Sequence, residues 1–256
     1  WNKDVLCMEK FTLSNGVEVP AVGYGTYLTS EKDDGTVAAA LAAGYRHFDT
    51  ASFYGTEQAL GDALKASGVP RGELFLTSKL WKDEMGYKNA LAAFERSLQK
   101  LGTDYLDLYL IHWPRPDDLT AEWQQLDRDT WRALEELYRA GRVRAIGVSN
   151  FLPHHLRNLM ETAEIAPMVN QIEFHPGYPQ TYTVEFCKAH GILPEAWSPL
   201  GRTRVLQDER LAGIAAKYGK SVAQLCVRFA LQCGVAPLPK SSSPARMQAN
   251  LDVFDF

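Results

Sequence analysis

The chain has 256 residues, of which 46% are hydrophobic and 23% are charged, and its net charge at pH 7 is −4. This composition is ordinary for a globular protein, and the length fits either two small domains or one α/β barrel. The slight acidity, with no long basic stripe, argues against nucleic acid or an anionic membrane as a partner, and no apolar run is long enough to span a bilayer.

The N-terminal part of the sequence contains a predicted hairpin. The segment FTLSNGVEVPAV (11–22) consists of two short β-prone runs around Asn15-Gly16, and Asn-Gly favours a two-residue hairpin turn. We expect this hairpin to cover the N-terminal end of the fold. The start WNKDVLCMEKF lacks the apolar region of a secretory signal, so we interpret residues 1–7 as a leader or a cloning remnant and Met8 as the native start.

Eight short β-prone runs follow the hairpin, separated by longer stretches. The runs occupy residues 21–25, 45–49, 74–79, 105–112, 143–149, 168–173, 192–198 and 235–240. The stretches between them have helical period. Apolar residues recur three or four positions apart within 89–101 and 129–141, and Gly141 stands where the second of these helices should end.

The last interval between two β-prone runs is the longest and contains two helical segments, 208–218 and 221–233. Ser221 is suited to cap the second segment at its start, and Gly234 is suited to end it. One helix is therefore extra to a regular alternation. Eight strand-then-helix units predict a (β/α)8 TIM barrel of the α/β class, with an N-terminal β-hairpin and at least one extra helix, in a single domain over residues 1–256.

Several predicted strands end in residues that can carry chemistry, and the active site of a parallel barrel lies at the carboxyl ends of its strands. Asp49 ends the second run, Tyr54 follows it, Lys79 ends the third run and His112 the fourth. A free tyrosine has a pKa of about 10, and a lysine ammonium beside it lowers that pKa. Asp49 would supply the counter-charge of a buried lysine, and His112 would hydrogen-bond a carbonyl oxygen. The set suits proton transfer to that oxygen.

The attack on the carbonyl carbon is expected from a cofactor, most simply as hydride, because only Lys79, as a Schiff base, could attack it covalently. The remaining strand ends suit a nicotinamide nucleotide. Ser149, Asn150 and Gln171 could hydrogen-bond a carboxamide, and Trp197 offers a flat face on which the ring could stack.

The segment KSSSPAR (240–246) suits a phosphate group. Lys240 and Arg246 flank three hydroxyls, and Ser243-Pro244 predicts the start of a helix. An extra phosphate bound there would mean NADP rather than NAD. No G-x-G-x-x-G motif follows a predicted strand, which argues against a Rossmann site.

At these residues the sequence resembles the aldo-keto reductase superfamily over nearly its whole length. The motifs that carry the resemblance are GYRHFDTASFYGTE, LTSKLW, LDLYLIHWP, GRVRAIGVSNF, VNQIEFHP, AWSPLG and PLPKSSSPARMQANLDVF. The resemblance implies a barrel enzyme that reduces aldehyde and ketone carbonyls of small molecules, including sugar-derived keto acids, with NADPH (NADP+ when oxidised). Trp197 and the FHPGYPQ stretch are most similar to the bacterial branch that includes 2,5-diketo-gluconate reductases.

The resemblance also implies a role for individual residues. Tyr54 would donate the proton, Lys79 and Asp49 would adjust the pKa of Tyr54, and His112 would orient the carbonyl. The implied cofactor-binding residues are Gly25, Thr26, Tyr27, Ser149, Asn150, Gln171, Trp197, Ser198, Pro199, Leu200, Gly201, Lys240, Ser241, Ser242, Arg246 and Asn250. Ser198, Leu200 and Gly201 would contact the pyrophosphate, and Lys240, Ser241 and Arg246 the 2′-phosphate. The substrate pocket would contain the aromatic residues Tyr27, Trp81 and Trp113.

Two features depart from the pattern of this superfamily. Ala249 stands where many members have a glutamate that contacts adenine, just before Asn250. We therefore expect weaker adenine contacts. The sequence ends at DVFDF, whereas members usually continue with another helix and a tail that closes the substrate pocket. We expect this C-terminal tail to be absent.

Taken singly, the same residues have ordinary structural interpretations. Asp49 and Lys79 could form a structural ion pair, and Ser149-Asn150 could cap a helix over 151–162. Their joint placement at strand ends favours the catalytic interpretation. The alternative that stays open is a non-catalytic NADPH-binding module with a structural or regulatory role.

No metal site is expected, because the histidines lack a ligand spacing and the adjacent His154 and His155 would diverge on a helix. The four cysteines are interpreted as buried free thiols of a reduced cytosol, with a disulfide or a metal site as alternatives. Nothing in the sequence demands an oligomer, and we expect a cytoplasmic monomer.

Overall fold

The computed structural model of the chain describes residues 9–27, 29, 34–114 and 122–256. The interpretation of residues 1–7 as a leader therefore falls outside the described residues. Within those ranges, no helix has the length and apolar character needed to cross a lipid bilayer.

A two-stranded hairpin precedes the main sheet. Strand β1 (Lys10–Thr12) pairs antiparallel with β2 (Glu18–Pro20). The predicted two-residue turn is wrong, because the Leu13 amide donates to the Val17 carbonyl at 2.9 Å and three residues remain in the loop. Gly16 has a φ of 85°. A tight turn that ends in a left-handed glycine is a common three-residue hairpin loop, and Asn-Gly serves it equally well.

Eight parallel strands form the main sheet in simple chain order. They are β3 (Tyr24–Gly25), β4 (His47–Asp49), β5 (Phe75–Leu80), β6 (Leu106–Ile111), β7 (Val143–Ser149), β8 (Val169–Glu173), β9 (Leu193–Trp197) and β10 (Ala236–Pro237). Each predicted run overlaps one of these strands, and β5 extends one residue past its run, to Leu80. The last is far shorter than predicted because Pro237 and Pro239 have no amide hydrogen to donate to a neighbouring strand.

The sheet closes on itself between its first and last strands. The Gly23 amide donates to the Pro237 carbonyl at 3.0 Å, and the Gly25 amide donates to the Pro239 carbonyl at 3.3 Å. A Cβ atom on Gly25 would lie 3.1 Å from the Leu238 carbonyl oxygen, so glycine permits this close approach. The predicted (β/α)8 barrel is confirmed.

The hairpin β1–β2 lies against the N-terminal end of the barrel, as expected. The Asn15 side-chain amide donates to the Arg144 carbonyl at 2.9 Å, near the start of β7. Leu13 and Val19 of the hairpin are buried. The opposite end of the barrel is left open for a site.

Nine α-helices are described around the barrel. They are α1 (Thr36–Ala43), α2 (Glu57–Ala66), α3 (Tyr87–Leu101), α4 (Trp123–Arg139), α5 (Pro153–Met160), α6 (Thr181–Ala189), α7 (Glu209–Lys217), α8 (Val222–Gln232) and α9 (Pro244–Leu251). Both α7 and α8 lie between β9 and β10, which confirms the extra helix. The predicted cap is also confirmed, since the Ser221 hydroxyl accepts from the Gln224 amide at 3.2 Å.

The core lies between the barrel wall and the helices. Every residue of β6 is buried, and α3 and α4 bury one face each, including Phe94 and Trp131. The Trp131 indole nitrogen donates to the Ile165 carbonyl at 3.0 Å, so its polar atom is satisfied. This rigid frame positions the residues at the carboxyl ends of the strands.

Candidate active site

A buried lysine lies at the centre of the candidate site. Lys79, on β5, is fully buried, and its ammonium donates to Asp49 Oδ1 at 2.7 Å, to the Thr50 carbonyl at 2.9 Å and to the Tyr54 hydroxyl at 3.3 Å. An ammonium group has three hydrogens, so all of its donors are used. The predicted group of Asp49, Tyr54 and Lys79 is therefore assembled in the structure.

The protonation of this cluster follows from burial and charge. Burial lowers the pKa of Lys79, but the charge and hydrogen bonds of Asp49 and Tyr54 together outweigh it and raise that pKa above its usual value. The lysine is therefore a cation. Burial raises the pKa of Tyr54 above 10, and the Lys79 charge only partly offsets this. The expected lowering by the ammonium is present, but the net shift is upward because the phenolate is poorly solvated here.

Tyr54 is placed by a short 3-10 helix, Ser52–Tyr54, that follows β4 after two intervening residues. The Tyr54 amide donates to the Ala51 carbonyl at 3.1 Å, and Gly55 follows with a φ of 71°. This tight turn directs the phenol back over the barrel. The ring of Tyr27 lies 5.0 Å from that of Tyr54, and Tyr27 is half exposed at the rim.

His112 follows β6, and its ring lies edge-on to Tyr54 with 5.5 Å between the ring centroids. Burial, reinforced by the charges of Lys79 and Lys82, lowers the pKa of His112 to about 2. The imidazole is therefore neutral at ordinary pH, with one nitrogen that donates and one that accepts. The Trp81 ring also lies edge-on to His112, with 4.9 Å between the ring centroids.

Asn150 and Trp197 form a rigid unit beside this cluster. The indole nitrogen of Trp197 donates to Asn150 Oδ1 at 2.9 Å, and Asn150 Nδ2 donates to the His112 carbonyl at 3.0 Å. Asn150 has a φ of 63°, a backbone conformation that asparagine tolerates better than most residues. The hydroxyl of Ser149 donates to the Gln171 carbonyl at 2.8 Å. These bonds fix the carboxyl ends of β7 and β8 relative to each other.

Gln171 crosses the barrel interior. Its side-chain nitrogen donates to Asp49 Oδ2 at 2.8 Å and to Glu195 Oε2 at 3.0 Å. The sequence analysis missed Glu195 as part of the site. The available signal was an acid in the middle of the β-prone run 192–198, where a carboxyl is uncommon.

An open cavity of about 550 Å³ lies above these residues. Predicted residues that line it are Gly25, Tyr27, Asp49, Tyr54, Trp81, His112, Trp113, Asn150, Gln171, Trp197, Ser198, Pro199, Leu200 and Lys240. Four further lining residues were not predicted from the sequence: Phe53, Arg202, Thr203 and Leu238. Phe53 stacks on Trp81 with 3.8 Å between the ring centroids, so these two rings form one wall.

The other predicted residues lie outside the cavity lining. Those in the barrel wall or on the loops and the helix around the cavity are Thr26, Lys79, Ser149, Gly201, Ser241, Ser242, Arg246 and Asn250. Arg246 is exposed at the start of α9, and its Nε donates to the Ser241 hydroxyl at 3.3 Å. Asn250 is buried on the inner side of α9. A cation therefore stands at a helix N-terminus beyond the cavity, where a phosphate would be stabilised.

The segment after β9 has an unusual backbone. Ser198, Arg202 and Thr203 have φ values of 48°, 52° and 71°. Non-glycine residues in this region are uncommon and cluster at ligand-binding segments. The guanidinium of Arg202 lies 5.7 Å from the centroid of the Trp197 ring, inside the cavity.

These residues suit a dinucleotide with a 2′-phosphate. The cavity lining contains the Asn150 amide, the Trp197 indole and the cations Arg202 and Lys240. A third cation, Arg246, lies beyond the lining at the start of α9. Within the residues that the structure describes, no three His, Cys, Asp or Glu side chains are grouped as metal ligands would be. The described cysteines Cys187, Cys226 and Cys233 are free thiols.

The chain belongs to the aldo/keto reductase family, whose family model matches residues 21–256. A glyoxal reductase of Bacillus subtilis (strain 168) is 51% identical over 246 residues, which cover 95% of this chain and 86% of the relative. An aldo/keto reductase from Brucella melitensis has a crystal structure with a TM-score of 0.90 and 45% identity, covering 97% of this chain and 94% of that one.

A third similar protein bears on the cofactor. An aldo-keto reductase of Bombyx mori, solved in complex with NADP, has a TM-score of 0.88 and 36% identity, and the match covers 98% of this chain and 89% of that one. The chain is thus an oxidoreductase of this family, and its cofactor is NADPH or NADP+. The narrower assignment to the branch of 2,5-diketo-gluconate reductases stays a prediction.

Proposed function

We propose that this protein reduces aldehyde or ketone groups of small molecules to alcohols, with NADPH as the reductant and Tyr54 as the proton donor. The observation that carries the proposal is the contact of 3.3 Å between the Tyr54 hydroxyl and the Lys79 ammonium, directly below an open cavity. A phenol can protonate a carbonyl oxygen only if the phenolate left behind is stabilised, and the ammonium provides that charge.

Each member of the cluster then has a distinct task. Tyr54 gives its proton to the carbonyl oxygen as negative charge develops there. Lys79 stabilises the phenolate, and Asp49 keeps Lys79 charged. Bound NADPH supplies the hydride that the carbonyl carbon receives. His112, being neutral, donates one hydrogen bond to the same oxygen and fixes its position.

The remaining predicted residues are proposed to hold the two ligands. Ser149, Asn150 and Gln171 would hold the carboxamide of the cofactor, with Trp197 beneath its ring. Residues of the 198–201 segment would contact its pyrophosphate. Aromatic side chains would form the substrate pocket: Tyr27, Trp81 and Trp113. Their apolar faces exclude water from the reacting carbonyl.

The substrate is proposed to be a small carbonyl compound. One similar protein is named a glyoxal reductase, which supports a small reactive aldehyde. The motifs that resemble the 2,5-diketo-gluconate branch support a sugar-derived keto acid instead. A panel that contains both classes, each assayed with NADPH and with NADH, separates these two options. A cytoplasmic monomer also belongs to the proposal.

The test of the proposed function is the substitution Tyr54→Phe. With NADPH and nitrobenzaldehyde, the wild-type protein should consume the reduced nicotinamide, as followed by its absorbance. We expect Tyr54→Phe to bind NADPH as tightly as the wild type but to turn over about 100-fold or more slowly, because general acid catalysis contributes on that scale.

A matched control is Tyr182→Phe, which removes a hydroxyl from an exposed tyrosine on α6. This variant should turn over like the wild type. Unchanged turnover in Tyr54→Phe would exclude that residue as the donor. A wild-type protein that binds NADPH without consuming it with any carbonyl would instead be the non-catalytic binding module.

A further inference from the structure

Glu195 is a buried carboxyl that the proposed reaction does not use directly. It lies on β9, where it is paired in register with Gln171 on β8, and it has no exposed surface. One of its oxygens, Oε1, has no hydrogen-bond partner among the residues that the structure describes. Its other oxygen accepts from Gln171 at 3.0 Å. Burying a carboxyl with so few partners is unfavourable, so stability does not explain why Glu195 is there.

The contact with Glu195 fixes which end of the Gln171 amide faces the cavity. Two carboxyl oxygens, one from Asp49 and one from Glu195, lie at the same side-chain nitrogen. An amide oxygen in that place would face the Asp49 carboxylate, which can only accept, so the NH2 group must occupy it. A neutral Glu195 with its proton on Oε1 accepts the second amide hydrogen through Oε2. Both amide hydrogens are thereby used, and the amide oxygen is left to accept from a ligand in the cavity that Gln171 lines.

The charge of Glu195 also matters to the lysine cluster. The charged groups that face it are Asp49 and Lys79, while its neighbours in register on the adjacent strands, Gln171 and Ala236, carry no charge. Burial, with the nearby Asp49 carboxylate, raises the pKa of Glu195 to about 8. The group is therefore neutral at ordinary pH. An ionised Glu195 would place a second negative charge beside the Lys79 ammonium, whose charge partly offsets the effect of burial on the pKa of Tyr54.

We propose that Glu195 is a positioning residue for carbonyl reduction, which holds the Gln171 amide so that the amide oxygen faces the cofactor. This inference rests on the proposed function for its effect on turnover. The effect of Glu195 on the Gln171 amide does not depend on turnover and can be measured in the protein without a substrate.

The first test uses the pH profile of aldehyde reduction. The wild-type kcat/KM should fall about tenfold between pH 7 and pH 9, as a group with a pKa of about 8 loses its proton. Glu195→Gln keeps an acceptor for Gln171 and cannot ionise. It should match the wild type within about threefold at pH 7 and lose the alkaline fall. Glu135→Gln, which changes a buried glutamate on α4, is the control and should keep the wild-type profile.

The second test measures Gln171 and cofactor binding directly. In 15N-labelled protein without cofactor, the two side-chain amide hydrogens of Gln171 should exchange slowly with solvent. They can be assigned by their loss in Gln171→Glu. In Glu195→Leu, which has a similar volume and no acceptor, we expect fast exchange and a dissociation constant for NADPH about tenfold higher. Glu195→Gln should retain slow exchange and near-wild-type affinity, even if the leucine variant fails to fold.

The outcomes separate this inference from the proposed function. A wild-type protein that reduces no carbonyl would overturn the proposed function, while the exchange rates and the NADPH affinities would still decide the effect of Glu195 on Gln171. Identical pH profiles for the wild type and Glu195→Gln would overturn the charge argument. Slow exchange and wild-type affinity in Glu195→Leu would overturn the positioning argument.

Discussion

Arg246 is the residue on which the preference for NADPH should depend. Its guanidinium is exposed at the N-terminus of α9, and its Nε contacts the Ser241 hydroxyl. We expect Arg246→Ala to raise the dissociation constant for NADPH about 10- to 100-fold, because a hydrogen bond to a charged group contributes about 1.5–3 kcal/mol. The constant for NADH, which lacks the 2′-phosphate, should change little.

Fluorescence titration with both nucleotides measures this difference. The matched control is Arg210→Ala, which removes another exposed arginine on α7 that pairs with Asp208. It should leave both affinities unchanged. Equal losses for NADPH and NADH in Arg246→Ala would mean that the phosphate binds elsewhere.

The sequence was sufficient to predict the residues at strand ends but not the contacts across the barrel. Asp49, Lys79 and His112 each end a β-prone run, and parallel topology alone brings such ends together. Glu195 is inside a run, and its contact with Gln171 depends on register, which spacing does not reveal. The net rise in the pKa of Tyr54 likewise depends on burial, which is visible only in three dimensions.

At the scale of the element, local signals predicted helix ends better than strand ends. Ser221 caps α8, and Gly141 follows α4 with a φ of 69°. Both signals act within one turn of the chain. The short β10 differs from prediction because Pro237 and Pro239 have no amide hydrogen to donate to a neighbouring strand. The three-residue hairpin loop differs because Asn15-Gly16 alone does not specify the turn type.

The cap of α8 provides a stability prediction for a single element. The Ser221 hydroxyl accepts from the Gln224 amide, and the Gln224 side chain accepts from the Ser221 amide at 3.0 Å. Ser221→Ala should lower the free energy of unfolding by about 1 kcal/mol, because one amide at the helix start loses its partner. Urea denaturation measures the change. Ser14→Ala, in the exposed hairpin loop, should show no comparable loss.

For the whole molecule, four buried groups that can carry charge are kept neutral by the fold. Burial raises the pKa of Asp127 to about 9, and burial with the Asp49 charge raises the pKa of Glu195 to about 8. Burial lowers the pKa of His47 to about 4, despite the opposing charge of Asp49, and that of His112 to about 2. The free energy of unfolding must therefore contain one contribution that rises with pH, from the histidines, and one that falls with pH, from the carboxyls.

The histidines and the carboxyls have opposite effects on stability below pH 6.5, and only the carboxyls contribute above it. In the unfolded chain the histidines are protonated below 6.5, so folding releases their protons there and stability rises with pH. The carboxyls are ionised in the unfolded chain above about pH 4.5, so folding binds protons and stability falls with pH up to 8 or 9. Near cancellation is expected up to pH 6.5, followed by a decline.

The substitution Asp127→Asn tests this balance. Asp127 is fully buried on α4, and neither carboxyl oxygen has a hydrogen-bond partner among the residues that the structure describes. Each neutral carboxyl lowers the free energy of unfolding by up to about 1.4 kcal/mol per pH unit between pH 6.5 and pH 8. Urea denaturation at several pH values in this range gives the slope of the unfolding free energy against pH. In Asp127→Asn this slope should be about half that of the wild type. Asp129→Asn, a more exposed change on the same helix, should retain the full slope, and an unaltered slope in Asp127→Asn would show that Asp127 is ionised in the fold.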